Sequence, residues 1–338
     1  MIALGIETSC DDTGLALVNW SSGDGFSVIS EVVSSQDSTH SLYGGVVPEL
    51  ASREHSRNIA ILFAELRSKY PKEIENLDLI AVTHGPGLKG CLLIGVEFAR
   101  GLALGLSCSV LPAHHIEGHL LAPMMDCPEL TFPYLALVAS GGHTELVLVS
   151  DVGVYKVLAR TIDDAAGEAF DKSAHLLGFS YPGGAKLAAL AETGVPGNLS
   201  LPTVMKGQPG FSFSGLKTAI ALAVRKYQAE IDTNADLRAS LAFEIQEAIV
   251  SSLRYKVEHA MKETGLTNIA LTGGVAANLR LQKVLSELPG CNLFVPDKVH
   301  CTDNATMVVY SALLRMERGR SKVTPKIRPR WPIEELFI

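Results

Sequence analysis

The sequence predicts an α/β protein built from two related lobes that face each other across a cleft. Two patterns carry this prediction, because each occurs twice and in the same order. The first is a pair of apolar strands joined by a short polar turn, at 2–20 and again at 134–149. The second is a strand that leads through a glycine-rich loop into a helix, at 77–106 and again at 268–288. Such a repeat indicates an internal duplication, and ligands of open α/β sheets bind at the carboxyl ends of the strands.

The individual elements follow from apolar runs with a period of two or of 3.6 residues. In the first half they are strands at 2–6, 15–18, 27–33 and 77–83, a helix at 48–70 and an apolar helix that ends near residue 106. In the second half they are strands at 134–139, 146–149, 268–271 and 292–295, and helices at 215–227, 237–261, 279–288 and 305–314. Two further helices are expected to begin around 163–172 and at Gly184.

Composition places the chain among ordinary globular proteins. Hydrophobic residues make up 47% and charged residues 19% of the 338 residues, which is enough apolar material for two cores. No apolar run approaches the roughly 18 residues of a membrane span, and MIALGIE at the start is typical of neither a secretory signal nor an import leader. The six cysteines form no C-x-x-C pair, so neither a disulfide framework nor a cysteine zinc site is expected. We therefore expect a cytoplasmic protein without a membrane partner.

Polar loops follow several of the predicted strands and carry candidate binding groups. The turn of the first hairpin holds Ser9, Asp11 and Asp12. It could bind a phosphate, although ordinary Asx and Ser/Thr turns explain the same residues. The glycine loop at 84–90 precedes a helix and is a candidate anion site. The loop at 195–214 is too long for a plain connector and is expected to be functional or mobile.

The densest group of titratable side chains lies at 111–121, in LPAHHIEGHLL, a stretch typical of an apolar helix. His115 and His119 stand four residues apart, so both imidazoles project from one helical face and can share a metal ion. A third ligand must come from elsewhere. Glu117 lies about 200° around the helix from either histidine and points away from that metal. Zinc proteases place a glutamate beside a histidine on the metal side, so the spacing argues against a peptidase; partly buried histidines without a metal are the alternative.

Two aspartates further along the chain are open to two interpretations. Asp171, in DDAAGEAFDK, could bind a ribose hydroxyl or pair with a neighbouring lysine. Asp303 precedes the helix at 305–314 and could be its N-cap. The sequence pattern alone does not decide between these roles.

The C-terminal region is locally basic although the chain carries a net charge of −7. Its acidic counterpart in the stretch from 315 to 330 is Glu317 alone. Such a patch can bind nucleic acid, and a solvated tail is the alternative. The basic residues are Arg315, Arg318, Arg320, Lys322, Lys326, Arg328 and Arg330.

A series of motifs, in order along almost the whole chain, resembles the TsaD family. These proteins are tRNA threonylcarbamoyladenosine synthases, formerly called O-sialoglycoprotein endopeptidases. The motifs are GIETSCDDT at 5–13, GGVVPELASREH at 44–55, HIEGH at 115–119, SGGHT at 140–144, GEAFDK at 167–172, FSFSGLKT at 211–218, GGVAAN at 273–278 and CTDN at 301–304.

The resemblance implies an actin/Hsp70/sugar-kinase-like (ASKHA) α/β fold with two duplicated lobes around a nucleotide cleft. The boundaries we expect are 1–110 plus 306–338 for the N-terminal lobe, and 111–305 for a second lobe that carries most of the substrate and metal site. The implied activity is transfer of threonylcarbamoyl from threonylcarbamoyl-AMP to N6 of adenosine 37 in tRNAs that read codons starting with A. The reaction forms t6A and releases AMP.

The resemblance also implies which residues carry the reaction. His115, His119 and Asp303 are the expected ligands of one divalent metal ion per subunit, Fe²⁺ or Zn²⁺, which holds the substrate. Asp11 is the expected catalytic carboxylate. ATP or ADP are expected as further occupants of the same cleft. The expected substrate-binding residues are Val138, Ala139, Ser140, Gly141, Gly142, Asp171, Gly184 and Asn278.

Partners follow from the same resemblance. They are tRNA, the paralogue TsaB in a heterodimer, the ATPase TsaE, and TsaC as the upstream supplier of the adenylate, with a homodimer when the chain acts alone. The basic tail from Arg315 is expected to contact tRNA. Two other classes remain open at this point: a metallopeptidase, and an ATPase or kinase module used for regulation.

Overall fold

The computed structural model describes residues 1–21, 25–197, 201–202, 210–231, 233–321 and 326–337. The chain folds into two compact units. The first unit contains Met1–Glu129, Ser150–Tyr155 and Pro296–Ile338, and the second contains Leu130–Val149 and Lys156–Val295. None of the described helices is both long enough and apolar enough to cross a bilayer.

Strands and helices alternate along most of the described chain. The strands are β1 (Ile2–Glu7), β2 (Asp12–Ser21), β3 (Gly25–Ser35), β4 (Leu79–Gly85), β5 (Ser109–His114), β6 (Tyr134–Ala139), β7 (Thr144–Asp151), β8 (Val154–Arg160), β9 (Asn268–Thr272) and β10 (Asn292–Phe294). The helices before β6 are α1 (Asp37–His40), α2 (Pro48–Lys69), α3 (Pro71–Glu75), α4 (Lys89–Leu106), α5 (His115–Leu121) and α6 (Pro123–Asp126). The later helices are α7 (Ala166–Leu176), α8 (Gly184–Ala191), α9 (Ser214–Lys226), α10 (Gln228–Ile231), α11 (Ala235–Thr264), α12 (Leu279–Ser286), α13 (Lys298–Cys301) and α14 (Ala305–Glu317).

The two sheets have the same topology, which confirms the predicted duplication. The first sheet has the order β3-β2-β1-β4-β5, and the second has the order β10-β9-β6-β7-β8. In the first, β1 is antiparallel to β2 and parallel to β4. In the second, β6 is antiparallel to β7 and parallel to β9. Each sheet therefore begins with a hairpin and continues with strands that arrive through a helix.

The stretch 111–121 is part strand and part helix, which corrects the prediction of one helix. Leu111 and Pro112 lie in β5, where they pair in parallel with Ala81 and Val82 of β4. A proline, which lacks an N–H, is tolerated in β5 because this strand lies at the edge of the sheet. The helix α5 begins only at His115, so that both histidines of the pair are helical.

The domain boundaries also differ from the predicted ones, 1–110 plus 306–338 and 111–305. Residues 111–129 belong to the first unit because β5 extends its sheet and α5 packs against α14. Residues 296–305, which include Asp303, belong to it as well. The three residues expected to bind metal thus all lie in the first unit and not in the second.

The first sheet is covered on both faces, and the period of two in its strands decides which side chains meet which helix. Leu4 and Ile6 of β1 pack in a cluster with apolar residues of α2 and α4. Ala3, on the opposite face, packs in a cluster with residues of α14. Ala3 and Gly5 on the α14 face of β1 are small, so this helix can lie close to the sheet.

Gly5 marks the closest approach of β1 to α14. A Cβ atom on this residue would lie 2.3 Å from the carbonyl oxygen of Ala305, the first residue of the helix. A side chain at position 5 would therefore push the start of α14 away from the sheet. Asp303 lies two residues before that start. The close approach at Gly5 therefore also influences the position of the Asp303 carboxylate.

We expect Gly5→Ala to lower the free energy of unfolding by about 1–3 kcal/mol, because the added methyl group overpacks against backbone that cannot move alone. Urea denaturation of the full chain measures this change. Gly101→Ala is the matched control, since a Cβ at this exposed position of α4 meets nothing within 4 Å. It should raise stability by about 0.5–1 kcal/mol through helix propensity. Equal effects of both substitutions would contradict the close approach.

Candidate functional site

Three side chains of the first unit come together at the start of α5. His115 and His119 lie one turn apart on this helix, and their ring centroids are 4.9 Å apart. The Oδ1 atom of Asp303 lies 3.1 Å from Nε2 of His119 and 3.6 Å from Nε2 of His115. One ligand atom from each residue lies within 4.8 Å of the others. The group can hold a metal ion, and both histidines are buried.

Asp303 is not the N-cap of α14. The cap is Asn304, whose Oδ1 accepts a hydrogen bond from the N–H of Met307 at 2.7 Å. The N–H groups of Ala305 and Thr306 donate to Oε1 of Glu31 at 2.9 and 3.0 Å. The interpretation of Asp303 as a cap is therefore wrong, and its carboxylate lies beside the histidines instead.

Gly118 explains why α5 can approach α14 closely enough for the three side chains to meet. A Cβ atom on this glycine would lie 3.0 Å from Cγ and 3.4 Å from the carbonyl oxygen of Met307. Glycine within a helix costs about 0.5–1 kcal/mol relative to alanine. A glycine between His115 and His119 is thus a signal of close helix packing that can be read from the sequence.

Glu7 joins the group from the end of β1, and the sequence analysis missed it. Its side chain is fully buried, and Oε2 lies 3.2 Å from Nδ1 of His115. The hydroxyl of Thr83 donates to the same oxygen at 2.7 Å, and the N–H of Ser9 donates to Oε1. The hydroxyl of Ser9 also lies 3.2 Å from Nδ1 of His115.

The electrostatics of this group depend on opposite charges in a buried place. Burial on its own lowers the pKa of His115, but the carboxylates of Asp303 and Glu7 outweigh it and raise the pKa to about 9. Burial on its own raises the pKa of Glu7, whereas the facing His115 lowers it below its ordinary value. The group therefore favours a cation between its carboxylates.

Glu117 points away from the histidines, as its helical position predicts. Its Oε2 forms an ion pair with Nε of Arg315 at 2.7 Å, and Tyr155 donates its hydroxyl to Oε1 at 2.7 Å. Burial raises the pKa of Glu117, and Arg315 opposes that shift. A glutamate held in this way anchors α5 to α14 and cannot serve as the general base of a zinc peptidase at His115 and His119.

The basic tail is only partly a surface, because Arg315, where the predicted tRNA contact begins, is buried. Arg315 is 1% exposed and donates to the carbonyl oxygen of Pro112 in addition to its pair with Glu117. Three further arginines of the tail have acidic partners: Arg318 and Arg320 lie 3.3 and 3.4 Å from Asp151, and Arg328 pairs with Glu335. Lys326 and Arg330 are exposed, and Lys322 lies outside the described residues.

Asp11 lies in the turn between β1 and β2, in the same unit as the histidines. Burial raises its pKa, and the nearby Asp303 adds to the increase. His55, from the motif at 44–55, holds this turn: its Nε2 lies 2.9 Å from the carbonyl oxygen of Cys10 and its Nδ1 lies 2.7 Å from the hydroxyl of Thr13. The motif therefore positions the turn.

Asp12 begins β2 next to Asp11. Burial, followed by the charges of Asp303 and Asp11, raises the pKa of Asp12 to about 7. The turn thus gathers carboxylates that partly suppress one another's ionisation. Such a set attracts a cation or a proton.

In the glycine loop at 84–90, the predicted anion site, two N–H groups are bonded to backbone carbonyls. The N–H of Gly87 donates to the carbonyl oxygen of Pro329 at 3.1 Å, and the N–H of Leu88 donates to the carbonyl oxygen of Ser9 at 2.8 Å. A Cβ on Gly85, whose φ is +153°, would lie 2.0 Å from the carbonyl oxygen of Arg328. The loop therefore holds the C-terminal segment and the first turn.

In the second unit, the motifs SGGHT, GEAFDK and GGVAAN meet at the end of β6. Val138 and Ala139 are buried strand residues, so their side chains belong to the core. A Cβ on Gly273 would lie 2.3 Å from the carbonyl oxygen of Ala139, and one on Gly167 would lie 2.6 Å from that of Ser140. Gly167 thus allows the start of α7, in GEAFDK, to touch the turn of SGGHT, and Gly273 allows the loop of GGVAAN to touch the end of β6.

The turn itself is open to solvent. Gly141 and Gly142 are exposed, and a Cβ on either would meet nothing within 4 Å. Ser140 shapes the turn, because its N–H donates to the carbonyl oxygen of His143 and its hydroxyl accepts from the N–H of His143 at 3.1 Å. The backbone at 141–142 can therefore be approached closely by a ligand.

The remaining expected substrate residues stabilise helix starts. Oδ1 of Asp171 accepts hydrogen bonds from the N–H groups of Gly183 and Gly184, at 2.9 and 2.8 Å, at the start of α8. Oδ1 of Asn278 caps α12 by accepting from the N–H of Leu281, and its amide nitrogen donates to Gln246 at 2.8 Å. Asp171 therefore fixes the position of Gly184.

The loop predicted at 195–214 is described only in part, since 198–200 and 203–209 lie outside the described residues. Its end is held by Asp163, whose Oδ1 accepts from the N–H of Phe213 at 2.8 Å. Oδ2 of the same aspartate accepts from the hydroxyls of Ser212 and Ser214. Asp163 thus anchors the two serines of the motif FSFSGLKT.

Comparisons with known sequences identify the same family that the motifs resemble. The family model of TsaD, tRNA N6-adenosine threonylcarbamoyltransferase, matches residues 27–310. A protein of that name from Aromatoleum aromaticum is 45% identical over 344 residues, which cover 99% of this chain and 98% of the relative. One from Methylobacillus flagellatus is 44% identical over 344 residues, covering 99% of each.

Solved structures with a similar fold are more distant in sequence. Full-length HypF, in a phosphate- and nucleotide-bound form, matches with a TM-score of 0.57 at 13% identity, over 94% of this chain and 55% of HypF. This chain thus spans about half of HypF. Component A of the (R)-2-hydroxyglutaryl-CoA dehydratase of Acidaminococcus fermentans matches with a TM-score of 0.51 at 14% identity, over 91% and 96% of the two chains. These likenesses confirm the ASKHA-like fold.

Proposed function

The chain belongs to the TsaD family of tRNA N6-adenosine threonylcarbamoyltransferases, and we propose that it carries out this acyl transfer with a metal ion held by His115, His119 and Asp303. Enzymes of this family form t6A on tRNA, so tRNA is a substrate. The observation that carries the metal assignment is the group of two imidazoles and one carboxylate whose ligand atoms lie within 4.8 Å of one another.

The donor set suits the ions that we propose, Fe²⁺ or Zn²⁺, with one ion per subunit. Imidazole and carboxylate ligands are common for both. Three protein ligands leave coordination positions open, as in catalytic sites and unlike closed structural sites. A bound ion would polarise the carbonyl of the donor and neutralise charge on its phosphate.

The donor that we propose is threonylcarbamoyl-AMP. Transfer forms a bond between N6 of adenosine and the carbamoyl carbon, and it breaks the bond from that carbon to the phosphate oxygen, so that AMP leaves. The exocyclic amine of adenine is a poor nucleophile because its lone pair is delocalised into the ring. The protein must therefore orient the amine and take up its proton.

Asp11 is the residue that we propose for this task. It lies in the turn between β1 and β2, where burial and neighbouring carboxylates raise the pKa of its own carboxyl group. A raised pKa suits a general base near neutral pH. His55 holds the turn at Cys10 and Thr13, on either side of Asp11 and Asp12. The position of the carboxylate is therefore determined by the fold.

We expect Asp11→Asn to lower transfer by about 100- to 10,000-fold, because a general base contributes about that much. Metal content should stay at the level of the unchanged protein, since Asp11 is not a proposed ligand. Single-turnover transfer and elemental analysis of the same preparation measure the two quantities. Asp37→Asn, an exposed carboxylate close enough to affect the pKa of Asp11, is the control and should retain transfer. Full transfer by Asp11→Asn with metal bound would remove Asp11 from the mechanism.

For the second unit we propose that its exposed loops bind the substrate. The exposed backbone at Ser140, Gly141 and Gly142 would receive the phosphate, since N–H groups in such turns form anion-binding concavities. Asp171 and Gly184 would contact the nucleoside together, because the carboxylate of Asp171 holds Gly184 in place. Val138 and Ala139 would form the strand end, and Asn278 would form the loop, on which the substrate rests. ATP or ADP could bind to the same loops.

The proposed partners are the TsaB paralogue as a heterodimer partner, the TsaE ATPase, and TsaC as the source of threonylcarbamoyl-AMP, with a homodimer in the absence of TsaB. A cytoplasmic location is proposed from the tRNA substrate. The exposed basic residues of the described tail, which we propose for tRNA contact, are Arg318, Lys326 and Arg330.

A reconstituted assay tests the function. The full chain is incubated with threonylcarbamoyl-AMP, tRNA and the partner proteins, with and without a chelator, and the tRNA nucleosides are measured by mass spectrometry. We expect t6A that disappears with chelator and returns with added metal. Persistent release of phosphate without t6A would favour a regulatory ATPase, and cleavage of a glycoprotein with no t6A would favour a peptidase.

A further inference from the structure

We propose that Glu7 is a positioning residue of the metal centre: its carboxylate accepts the Nδ1–H of His115, so that Nε2 is the nitrogen offered to the metal. This inference rests on the proposed metal site at His115, His119 and Asp303. It assigns a role to a residue outside the ligand set and in a different element of the fold.

The geometry that carries the proposal lies at the end of β1. Oε2 of Glu7 is 3.2 Å from Nδ1 of His115, while Nε2 of the same ring is 3.6 Å from Oδ1 of Asp303. One edge of the imidazole thus faces Glu7 and the other faces the proposed ligand set. Metal-binding histidines commonly donate their second N–H to a carboxylate, which fixes the tautomer and the orientation of the ring.

Glu7 is itself held in place, which is what a positioning residue needs. The hydroxyl of Thr83 donates to Oε2 at 2.7 Å and the N–H of Ser9 donates to Oε1. The side chain is fully buried, so the carboxylate cannot turn toward water. Thr83 comes from β4, the strand next to β1, so the sheet sets the position of Glu7 and through it that of His115.

A purely structural role would be to hold the turn after β1. A neutral side chain that accepts the N–H of Ser9 would be sufficient for that task, whereas a buried carboxylate is costly unless it is paired in addition to being hydrogen-bonded. His115 provides that partner. The choice of glutamate at this position is thus explained by the imidazole and not by the turn alone.

The test compares Glu7→Gln with Thr83→Val in the full chain. Thr83→Val removes a hydrogen bond to the same oxygen but leaves the carboxylate and the imidazole in place. The affinity for Zn²⁺ and for Co²⁺ alone is measured by competition with a chelator. We expect Glu7→Gln to weaken both affinities by about 10- to 100-fold, and we expect Thr83→Val, which keeps the Glu7 carboxylate, to weaken them clearly less. A structural role predicts that both variants lower the unfolding temperature and that neither changes the affinity; that result would overturn the proposal.

A second measurement needs no variant and remains decisive if Glu7→Gln does not fold. Long-range proton–nitrogen NMR of the ¹⁵N-labelled protein with Zn²⁺ reports which nitrogen of His115 carries the proton. We expect Nδ1 to be protonated and Nε2 to be metal-bound. A metal-bound Nδ1 would overturn the proposal.

His119→Ala separates a failure of this inference from a failure of the metal site. If His119→Ala loses the metal while Glu7→Gln keeps the affinity of the unchanged protein, the inference about Glu7 is wrong and the metal site stands. If His119→Ala binds Zn²⁺ as tightly as the unchanged protein, the proposed metal site is wrong and the role of Glu7 is wrong with it.

Discussion

Replacing Asp303 by asparagine is expected to remove the metal from the protein and to lower threonylcarbamoyl transfer by at least about 100-fold. A metal that acts as a Lewis acid contributes several kcal/mol to transition-state stabilisation, and 1.36 kcal/mol corresponds to a tenfold change in rate. Asparagine has the same shape as aspartate but no charge, and the N-cap of α14 is supplied by Asn304. The loss should therefore arise at the metal centre while the helix remains intact.

Asp297→Asn is the matched control for this variant. Asp297 lies in the same unit a few residues earlier, is exposed, and makes no side-chain cap at the start of α13. It should keep both metal content and transfer. Elemental analysis and single-turnover assays on both variants give the result. Transfer by Asp303→Asn at the level of Asp297→Asn would show that this carboxylate is not needed.

Replacing Arg315 by methionine is expected to lower the free energy of unfolding by about 3–5 kcal/mol. The substitution leaves the carboxylate of Glu117 buried without its partner, and breaking a buried ion pair from one side costs about that much. The two side chains are 2% and 0% exposed and lie 2.7 Å apart. Urea denaturation monitored by circular dichroism measures the change.

Two further variants make this prediction specific. Arg318→Met removes an arginine from the next turn whose side chain is 51% exposed, and it should change stability by less than about 0.5 kcal/mol. Glu117→Leu combined with Arg315→Met removes both charges and should recover much of the loss. If Arg315→Met were as stable as Arg318→Met and instead bound tRNA more weakly, the assignment of Arg315 to tRNA contact would be right after all.

The duplication of the fold was predictable because its signals are local. A hairpin shows as two short apolar runs around a polar turn, and a glycine loop between a strand and a helix is equally visible. Edge strands have weaker signals. β5 was taken for helix because its apolar residues continue into α5, and β8 was not predicted, since its residues are mostly half-buried or exposed. The partner of β5, β4, lies more than 20 residues earlier in the chain, so the sheet and not the local pattern determines β5, whereas β8 directly follows its neighbour β7.

The proposed metal site could be predicted from the sequence only where its residues lie close together in the chain. The spacing of His115 and His119 indicates a shared face of a helix without further information. Asp303 was assigned only through the family resemblance, because 184 residues separate it from His119 and its position just before α14 is equally typical of a helix cap. The structure resolves this point through Asn304, which takes the cap.

Burial was the property that the sequence could not provide. Arg315 belongs to a run of basic residues and was expected on the surface, but the side of α14 on which it lies is packed against Glu117. Glu7 was overlooked for the opposite reason, since a single glutamate at a strand end resembles any turn residue. Both assignments depend on which long-range partner faces the side chain, and a charge pattern along the chain does not contain that information.

The central claim is that one metal ion, held by His115, His119 and Asp303, is required for the transfer of threonylcarbamoyl to tRNA. It is tested most directly by adding Zn²⁺ or Fe²⁺ stepwise to metal-stripped full-length protein and measuring t6A formation with threonylcarbamoyl-AMP, tRNA and the partner proteins. We expect transfer to be absent at first, to rise with added metal and to reach its plateau at one ion per chain. Full transfer by the metal-stripped protein would contradict it.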